Sequence, residues 1–227
     1  MIKIFDSSEE LARAAAEYFV ARRPETVALS GGSTPKAMFQ IIAEQFRDQV
    51  PWSNMHFFWS DERHVPPDHP DSNYRMTNEA MLSHVTVPPE NVHRIHGENP
   101  NAAEAASEYE QILRNVTKQN LPRLDLILLG LGTDGHTASI FPGSEVLHET
   151  KRLVAAPWVE KLNTYRITMT LPLINNAATV LFLVSGAEKA EIVKDVLEGE
   201  NKYPAQAVKP TQGELIWMLD KEAASFS

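Results

Sequence analysis

Two unbroken apolar runs, set among helix-like segments, constrain the fold of this chain most. "LDLILLGL" (124–131) and "TVLFLVSG" (179–186) are apolar at successive positions, so both faces of each predicted strand must be covered. Further predicted strands lie at 2–5, 26–30, 55–60, 166–170 and 214–220. Amphipathic helical patterns lie between them, at about 7–22, 34–49, 72–84, 100–119 and 186–198. This alternation predicts an α/β fold with a mostly parallel sheet and helices on both faces.

The chain carries no internal sign of a domain boundary and no sign of a nucleic-acid surface. No linker, repeat or low-complexity run divides its 227 residues, so we expect a single domain over 1–227. Its 30 acidic and 21 basic residues give a formal charge of −9. That charge disfavours nucleic acid as a partner, because neutralising phosphates dominates such binding. A small anion can still bind where helix N-termini and a few cations form a local positive site.

Missing residue types and segments narrow the chemistry and the location. There is no cysteine, which excludes a disulfide, a thiolate nucleophile and a Cys-ligated metal. The opening "MIKIFDSSEE" lacks the pattern of a signal peptide, and no apolar run approaches the ~18 residues of a membrane span. We therefore expect a cytoplasmic protein without membrane contact. The sequence leaves a monomer and a small homo-oligomer open.

The first candidate site is a glycine-rich loop that follows a predicted strand. Ligands of parallel sheets bind outside the carboxyl ends of the strands, so polar motifs directly after strands are the best candidates. Gly31, Gly32, Ser33 and Thr34 follow such a strand, and Pro35 suits the first turn of a helix. The glycines allow close backbone approach, Ser33 or Thr34 can cap the helix, and the free amides suit a phosphate. An ordinary capped turn is the alternative.

A second motif, "WSDERHVPP", follows the aromatic strand at 55–60. It contains Asp61 and Arg63, and the same loop leads to Arg75 at the start of a predicted helix. Arginine presents a planar fork that fits a phosphate or carboxylate, and nearby acids can orient it. A surface salt-bridge cluster is the alternative. The histidines and aspartates of this loop match no metal-site spacing, so we expect no metal.

A third motif, "GLGTDGHTASIFPG" (130–143), has the glycine spacing of a dinucleotide fingerprint. Pro142 ends any helix there within about two turns, too early for a dinucleotide site. Asp134 and His136 remain, at the mouth of the most apolar strand, where an imidazole can exchange protons near neutral pH. A solvated or structural histidine is the alternative. Lys209, before a proline further along, either closes over an anion or is solvated.

Taken together, these motifs resemble one enzyme family. "LSGGSTP", "WSDERHVP", "SNYRM", "LGLGTDGHTASIFPG" and "VKPTQGELIWMLD" occur in this order between about residues 28 and 220. They are similar to the 6-phosphogluconolactonases of the glucosamine-6-phosphate isomerase/6-phosphogluconolactonase family. The resemblance implies a modified Rossmann-like fold and hydrolysis of 6-phospho-D-glucono-1,5-lactone in the pentose phosphate pathway. It also implies a small sugar-phosphate substrate, no metal and no organic cofactor.

The resemblance also assigns expected roles to individual residues. His136 matches the general base, Asp134 the acid of the same loop, and Arg63 the arginine of the "DER" segment. The expected substrate- and phosphate-binding residues are Gly31, Gly32, Ser33, Thr34, Asp61, Arg75 and Lys209. Relatives often carry arginine where this chain has Lys209, which replaces a bidentate fork by a point charge.

Two alternative functions remain open at this stage. An amino-sugar-phosphate isomerase or deaminase shares the sugar-phosphate loop and the "DGH" segment, but continues with an acidic pattern similar to "DGHxAFNEP". Here the continuation is "TASIFPG", with no acid until Glu145. A noncatalytic sugar-phosphate-binding regulator would need no base and is expected to carry a DNA-binding module, of which the sequence shows no sign.

Overall fold

The two apolar runs form the centre of a parallel sheet in the computed structural model, which describes residues 1–200 and 202–225. In chain order the strands are β1 (Ile2–Phe5), β2 (Thr26–Leu29), β3 (His56–Trp59), β4 (Asp61–Arg63), β5 (Leu126–Leu129), β6 (Val154–Ala155), β7 (Trp158–Val159), β8 (Thr164–Met169), β9 (Thr179–Val184) and β10 (Glu214–Asp220). The α-helices are α1 (Ser8–Arg22), α2 (Ser33–Ile41), α3 (Asn73–Ala80), α4 (Ala102–Thr117), α5 (Leu171–Ile174) and α6 (Ala190–Glu198).

The main sheet has six strands in the order β1-β10-β9-β5-β2-β3, and every neighbouring pair is parallel. Every residue of β5 and β9 is buried, as expected of central strands covered on both faces. In the register of the sheet, Leu181 of β9 lies between Leu128 of β5 and Ile216 of β10. The predicted mostly parallel sheet with helices on both faces is confirmed.

Local sequence signals explain where the helices begin. The Ser7 side chain accepts from the Glu10 backbone N–H at the start of α1, and Asn101 caps α4 in the same way. After α2 the chain continues through one π-helical turn, Ile42–Phe46, within the predicted helical segment 34–49. None of the helices within 1–200 and 202–225 is long and apolar enough to cross a membrane.

A second, smaller sheet is the main feature that the sequence did not predict. Its strands β4, β8 and β6 pair antiparallel, and β7 pairs with the other end of β8. The chain leaves the main sheet at Ser60, whose backbone N–H donates to Leu29 O while its own carbonyl accepts from the Met169 N–H. The predicted strand 166–170 therefore belongs to this separate sheet. Its location depends on the bend at Ser60, which strand propensity does not encode.

A buried carboxylate attaches this second sheet to helix α3. Glu62 of β4 is 2% exposed, and its oxygens accept from the backbone N–H groups of Arg63, Asn73 and Tyr74 and from the Ser72 hydroxyl. Burial raises the pKa of the Glu62 carboxyl, and the three backbone donors oppose that shift. Glu62 thus satisfies N–H groups at the start of α3 that no helical carbonyl reaches.

We expect Glu62→Gln to lower the free energy of unfolding by about 2–4 kcal/mol, because the amide NH2 then faces at least one backbone N–H whichever way the amide is turned. Urea denaturation at neutral pH measures the change. Glu79→Gln is the control on helix α3, since Glu79 is exposed and forms an ion pair with Arg75 four residues earlier. The control should change stability by less than about 0.5 kcal/mol. Equal effects of the two substitutions would contradict a special role for the buried carboxylate.

Candidate active site

A cavity of about 550 Å³ lies at the carboxyl ends of four adjacent strands, β9, β5, β2 and β3. Its walls are the loops that follow these strands and one hairpin of the second sheet. The predicted site residues that line it are Gly31, Gly32, Ser33, Thr34, Asp61, Arg63 and His136. Asp134 lies directly behind His136. Three loops far apart in the sequence thus meet in one place, as expected for the ligand-binding edge of a parallel sheet.

The glycine-rich loop presents backbone donors to the cavity. Helix α2 begins at Ser33 and is preceded by Gly32, which has φ +109° and no side chain with which to cap the helix. The predicted capping by Ser33 or Thr34 is therefore wrong, because both residues lie within the first turn. The uncapped N–H groups of that turn remain available to an anion. The Thr34 hydroxyl lies 2.7 Å from that of Ser185, which joins this loop to the loop after β9.

The loop after β9 adds charged groups that the sequence reading overlooked. Ser185, Glu188 and Lys189 all line the cavity. Lys189 closes a single 3-10 turn that leads directly into α6. The sequence does contain a signal for these residues, because the polar segment "SGAEK" (185–189) directly follows a buried strand. That segment lacks the two consecutive glycines that mark the loop after β2 as a candidate anion site.

The central feature of the site is a hydrogen bond between Asp134 and His136. The Asp134 Oδ1 to His136 Nδ1 distance is 2.5 Å, and Oδ1 also accepts from the His136 backbone N–H. An ionised carboxylate can only accept, so Nδ1 carries the proton of this bond. In the neutral ring, the other nitrogen, Nε2, then holds the free lone pair. The local geometry thus selects the tautomer in which Nε2 is basic.

Lys161 forms an ion pair with the second carboxylate oxygen of Asp134. Its ammonium group contacts Asp134 Oδ2, and its Nζ lies 4.5 Å from the centre of the Phe141 ring. Burial raises the pKa of the Asp134 carboxyl, but the hydrogen bonds from Lys161 and His136 outweigh it and hold the pKa far below its usual range. Asp134 therefore remains ionised near neutral pH.

Glycines make the conformation of this loop possible. A Cβ atom on Gly132 would lie 2.0 Å from His136 Nδ1, so only glycine leaves room for the imidazole. Gly135 has φ +77°, and its N–H donates to Gly132 O while the Gly132 N–H donates to His136 O. The ring itself packs on Phe141, with centroids 4.3 Å apart. The "GxGxxG" spacing thus serves a tight loop at 130–137, which we call the histidine loop, and no helix follows it before Pro142.

Two arginines meet at the wall formed by the second sheet. Arg63 of β4 and Arg166 of β8 are directly opposite each other in the antiparallel register, and both line the cavity. Burial and the neighbouring Arg63 lower the pKa of Arg166. Like charges at opposed positions destabilise a sheet, so this pair favours an anionic ligand in the cavity. The sequence did not predict Arg166 as a site residue, because the strand pattern does not show that β8 pairs with β4.

Asp61 contributes more to the framework of the cavity than its position in the sequence suggested. It is 7% exposed, its Oδ2 accepts from the Ser139 hydroxyl at 2.5 Å, and its Oδ1 accepts from Asn73 Nδ2 at 3.3 Å. These bonds connect β4, the histidine loop and α3. Among residues 1–200 and 202–225, no group of three or more histidine and carboxylate side chains is placed to hold a metal ion.

Arg75 and Lys209 are not brought into the cavity. Arg75 forms an ion pair with Glu79 on its own helix, with Nε and Oε1 2.7 Å apart, which holds it at the surface. Lys209 is exposed, and its backbone N–H donates to Asn175 Oδ1 in the segment that leads to β9. This contact places it beside the segment that precedes β9, and it does not line the cavity.

Comparison with known proteins identifies the family of this chain. Residues 5–217 match the family model described as "Glucosamine-6-phosphate isomerases/6-phosphogluconolactonase". A 6-phosphogluconolactonase of Nostoc sp. is 44% identical over 206 residues, which cover 88% of this chain and 83% of the relative.

Solved structures show the same fold over nearly the whole chain. A structure of a protein named devB has a TM-score of 0.93 and 36% identity, and the match covers 99% of each chain. The 6-phosphogluconolactonase of Trypanosoma cruzi has a TM-score of 0.88 and 29% identity, covering 98% of this chain and 95% of the other. The chain therefore belongs to the glucosamine-6-phosphate isomerase/6-phosphogluconolactonase family.

Proposed function

We propose that this protein hydrolyses 6-phospho-D-glucono-1,5-lactone to 6-phospho-D-gluconate, the lactonase step of the oxidative pentose phosphate pathway. The observation that carries the proposal is the Asp134–His136 pair, whose imidazole lines the same cavity as the glycine-rich loop at 31–34. An oriented base and an anion cradle in one cavity fit a phosphorylated ester. Family membership and the names of the relatives support the same substrate.

The phosphate is held at the glycine-rich end of the cavity. The amides at the start of α2 and the hydroxyls of Thr34 and Ser185 act as donors, and Lys189 supplies the positive charge. This charge is local, in a chain whose formal charge is −9. Anchoring the remote phosphate orients the lactone carbonyl at His136, so that binding energy far from the reacting atom contributes to catalysis.

His136 acts as a general base and then as a general acid. Neutral Nε2 takes a proton from water as the water oxygen bonds to C1 of the lactone. The tetrahedral intermediate then collapses, the bond from C1 to the ring oxygen breaks, and the imidazolium returns its proton to that oxygen. The new carboxylic acid ionises and releases one proton per turnover. These reaction steps use no covalent nucleophile, no metal and no organic cofactor.

Charged side chains from the histidine loop and from the second sheet stabilise the two charges that develop. Asp134 stabilises the imidazolium, and Lys161 holds Asp134 ionised and in place. Arg63, with Arg166 beside it, donates to the oxyanion on C1. One well-placed oxyanion donor contributes about 10²- to 10³-fold to such reactions. A lactone is already an activated ester, so modest contributions of this size suffice.

An amino-sugar-phosphate deaminase is the competing function within the family. Glu145, the first acid after the "DGH" segment in the sequence, is exposed and does not line the cavity, whereas Asp61 and Glu188 do. Asp61 is occupied by Ser139 and Asn73. Release of ammonia from glucosamine 6-phosphate, without acid release from the phosphorylated lactone, would replace the proposal by this alternative.

We expect His136→Asn to lower kcat by about 10²- to 10⁴-fold, because the general base is lost. The assay follows acid release from freshly generated 6-phospho-D-glucono-1,5-lactone, with the spontaneous hydrolysis subtracted. The exposed His148 is the matched control, and His148→Asn should keep the wild-type rate. Near-normal turnover of the His136 variant would remove the proposed base.

Asp134→Asn should reduce kcat by a similar factor at every pH between about 5 and 8. The lowered pKa of Asp134 keeps the carboxylate charged throughout that range, since a depressed carboxyl takes up its proton only below its usual value of about 4. The loss should therefore persist across the whole of that range. Wild-type kcat in the variant at any pH between about 5 and 8 would contradict a requirement for the ionised carboxylate.

Lys189→Ala should raise KM about tenfold or more with a smaller effect on kcat, because a charge-assisted contact to the substrate phosphate is lost. Lys209→Ala provides the matched control, since Lys209 lies outside the cavity. It should leave KM unchanged. A rise in KM for the Lys209 variant alone would return the anchoring role to that residue.

A further inference from the structure

We propose that Tyr203 is a positioning residue that sets the Asp134–His136 geometry from outside the cavity. The inference rests on the proposed function, which supplies the reaction that this geometry serves. It concerns the brace, which we define as residues 203–206, between α6 and β10. Tyr203 does not line the cavity, so any effect on catalysis must act through the histidine loop.

The brace contacts the histidine loop at Gly135. The Tyr203 ring packs directly against Gly135, where an added Cβ atom would lie 2.4 Å from Tyr203 Cδ1. The Ala205 backbone N–H also donates to Gly135 O at 3.1 Å. Gly135 lies between Asp134 and His136 in the chain and has a positive φ that few other residues adopt. A rotation at Gly135 moves the two partners of the catalytic hydrogen bond relative to each other.

The brace is in turn fixed to helix α6. The Tyr203 hydroxyl donates to Asp195 Oδ2 at 2.9 Å. Gln206, which is 8% exposed, donates to Asp195 O at 3.1 Å and accepts from the Tyr203 backbone N–H at 2.9 Å. The buried side chains Ile192, Val193 and Val196 anchor α6 in the core. The Tyr203 ring therefore contacts Gly135 from a segment that is hydrogen-bonded to a helix packed in the core.

Helix α6 also follows directly after Lys189, the cation at the proposed phosphate end of the cavity. Helix α6 thus begins next to Lys189, and the brace connects the same helix to the loop that carries the base. Misplacing a reacting group by about 1 Å can cost about 10²-fold in rate. A brace of this kind controls the placement of the base while leaving the anchor unchanged.

The test compares Tyr203→Ala with Tyr203→Phe, which keeps the ring and loses only the hydroxyl. We expect the alanine variant to lower kcat about 10- to 100-fold at unchanged KM, and phenylalanine to restore kcat to within about threefold of wild type. Competitive inhibition by inorganic phosphate should be the same in all three proteins, because the anchor is intact. Tyr18→Ala, in helix α1, is the control for a general loss of packing and should keep the wild-type kcat.

A second measurement does not depend on turnover. The Nδ1–H proton of His136, assigned by its absence in His136→Asn, should give a downfield NMR signal in wild type and in Tyr203→Phe. It should be broadened or lost in Tyr203→Ala. An inactive wild type would contradict the proposed function, whereas the NMR comparison would still test the brace.

Two results would overturn the inference. One is a Tyr203→Ala protein with wild-type kcat and an unchanged His136 signal. The other is a loss of kcat shared equally by Tyr18→Ala, or accompanied by an equal rise in KM, since either pattern indicates general damage to the fold. If Tyr203→Ala does not fold, Tyr203→Leu removes the flat ring while keeping apolar bulk, and the same expectations apply to it.

Discussion

The hydrogen bond between Asp134 and His136 is the interaction on which the rest of the site depends. It fixes which imidazole nitrogen is basic, and it works only while Asp134 is ionised. Lys161 keeps the carboxylate charged from the second sheet, and Gly132 leaves space for the ring. The surrounding structure is thus arranged around one donor–acceptor pair. The pair itself lies within one loop of the main sheet, and Lys161, between β7 and β8, supports it from outside that loop.

The parallel sheet explains why these loops can meet. Strands β9, β5, β2 and β3 are neighbours and point the same way, so the segments that follow them open at one edge. The second sheet then closes the cavity from the side, because the chain turns out of the main sheet at Ser60 and pairs β4 with β8. This turn places Arg63 opposite Arg166. The family shares the general architecture, and the charges at this wall suit an anionic substrate.

The sequence predicted the main sheet, its helices and the core of the site. Continuous apolar runs can only be central strands, and a polar motif directly after such a strand must lie at its carboxyl end. The glycine loop and the "DGH" segment satisfied that rule and line one cavity. Lys209 did not satisfy it, since it precedes a strand. The rule does not decide the case of Arg75, because an ion pair with Glu79 in the same helix sets the direction of its side chain.

By itself, then, the sequence determined the fold class, the pairing of Asp134 with His136 and the position of the glycine-rich loop at 31–34, because each depends on residues close together in the chain or on strand patterns. Only the tertiary structure decided that Lys161, Arg166 and Lys189 join the cavity. Each of these cations lies far in the sequence from the groups that it approaches in the cavity. Local patterns report which face of an element is apolar, but not which distant charge it meets. Like the contact of Tyr203 with Gly135, these contacts depend on packing that no short segment encodes.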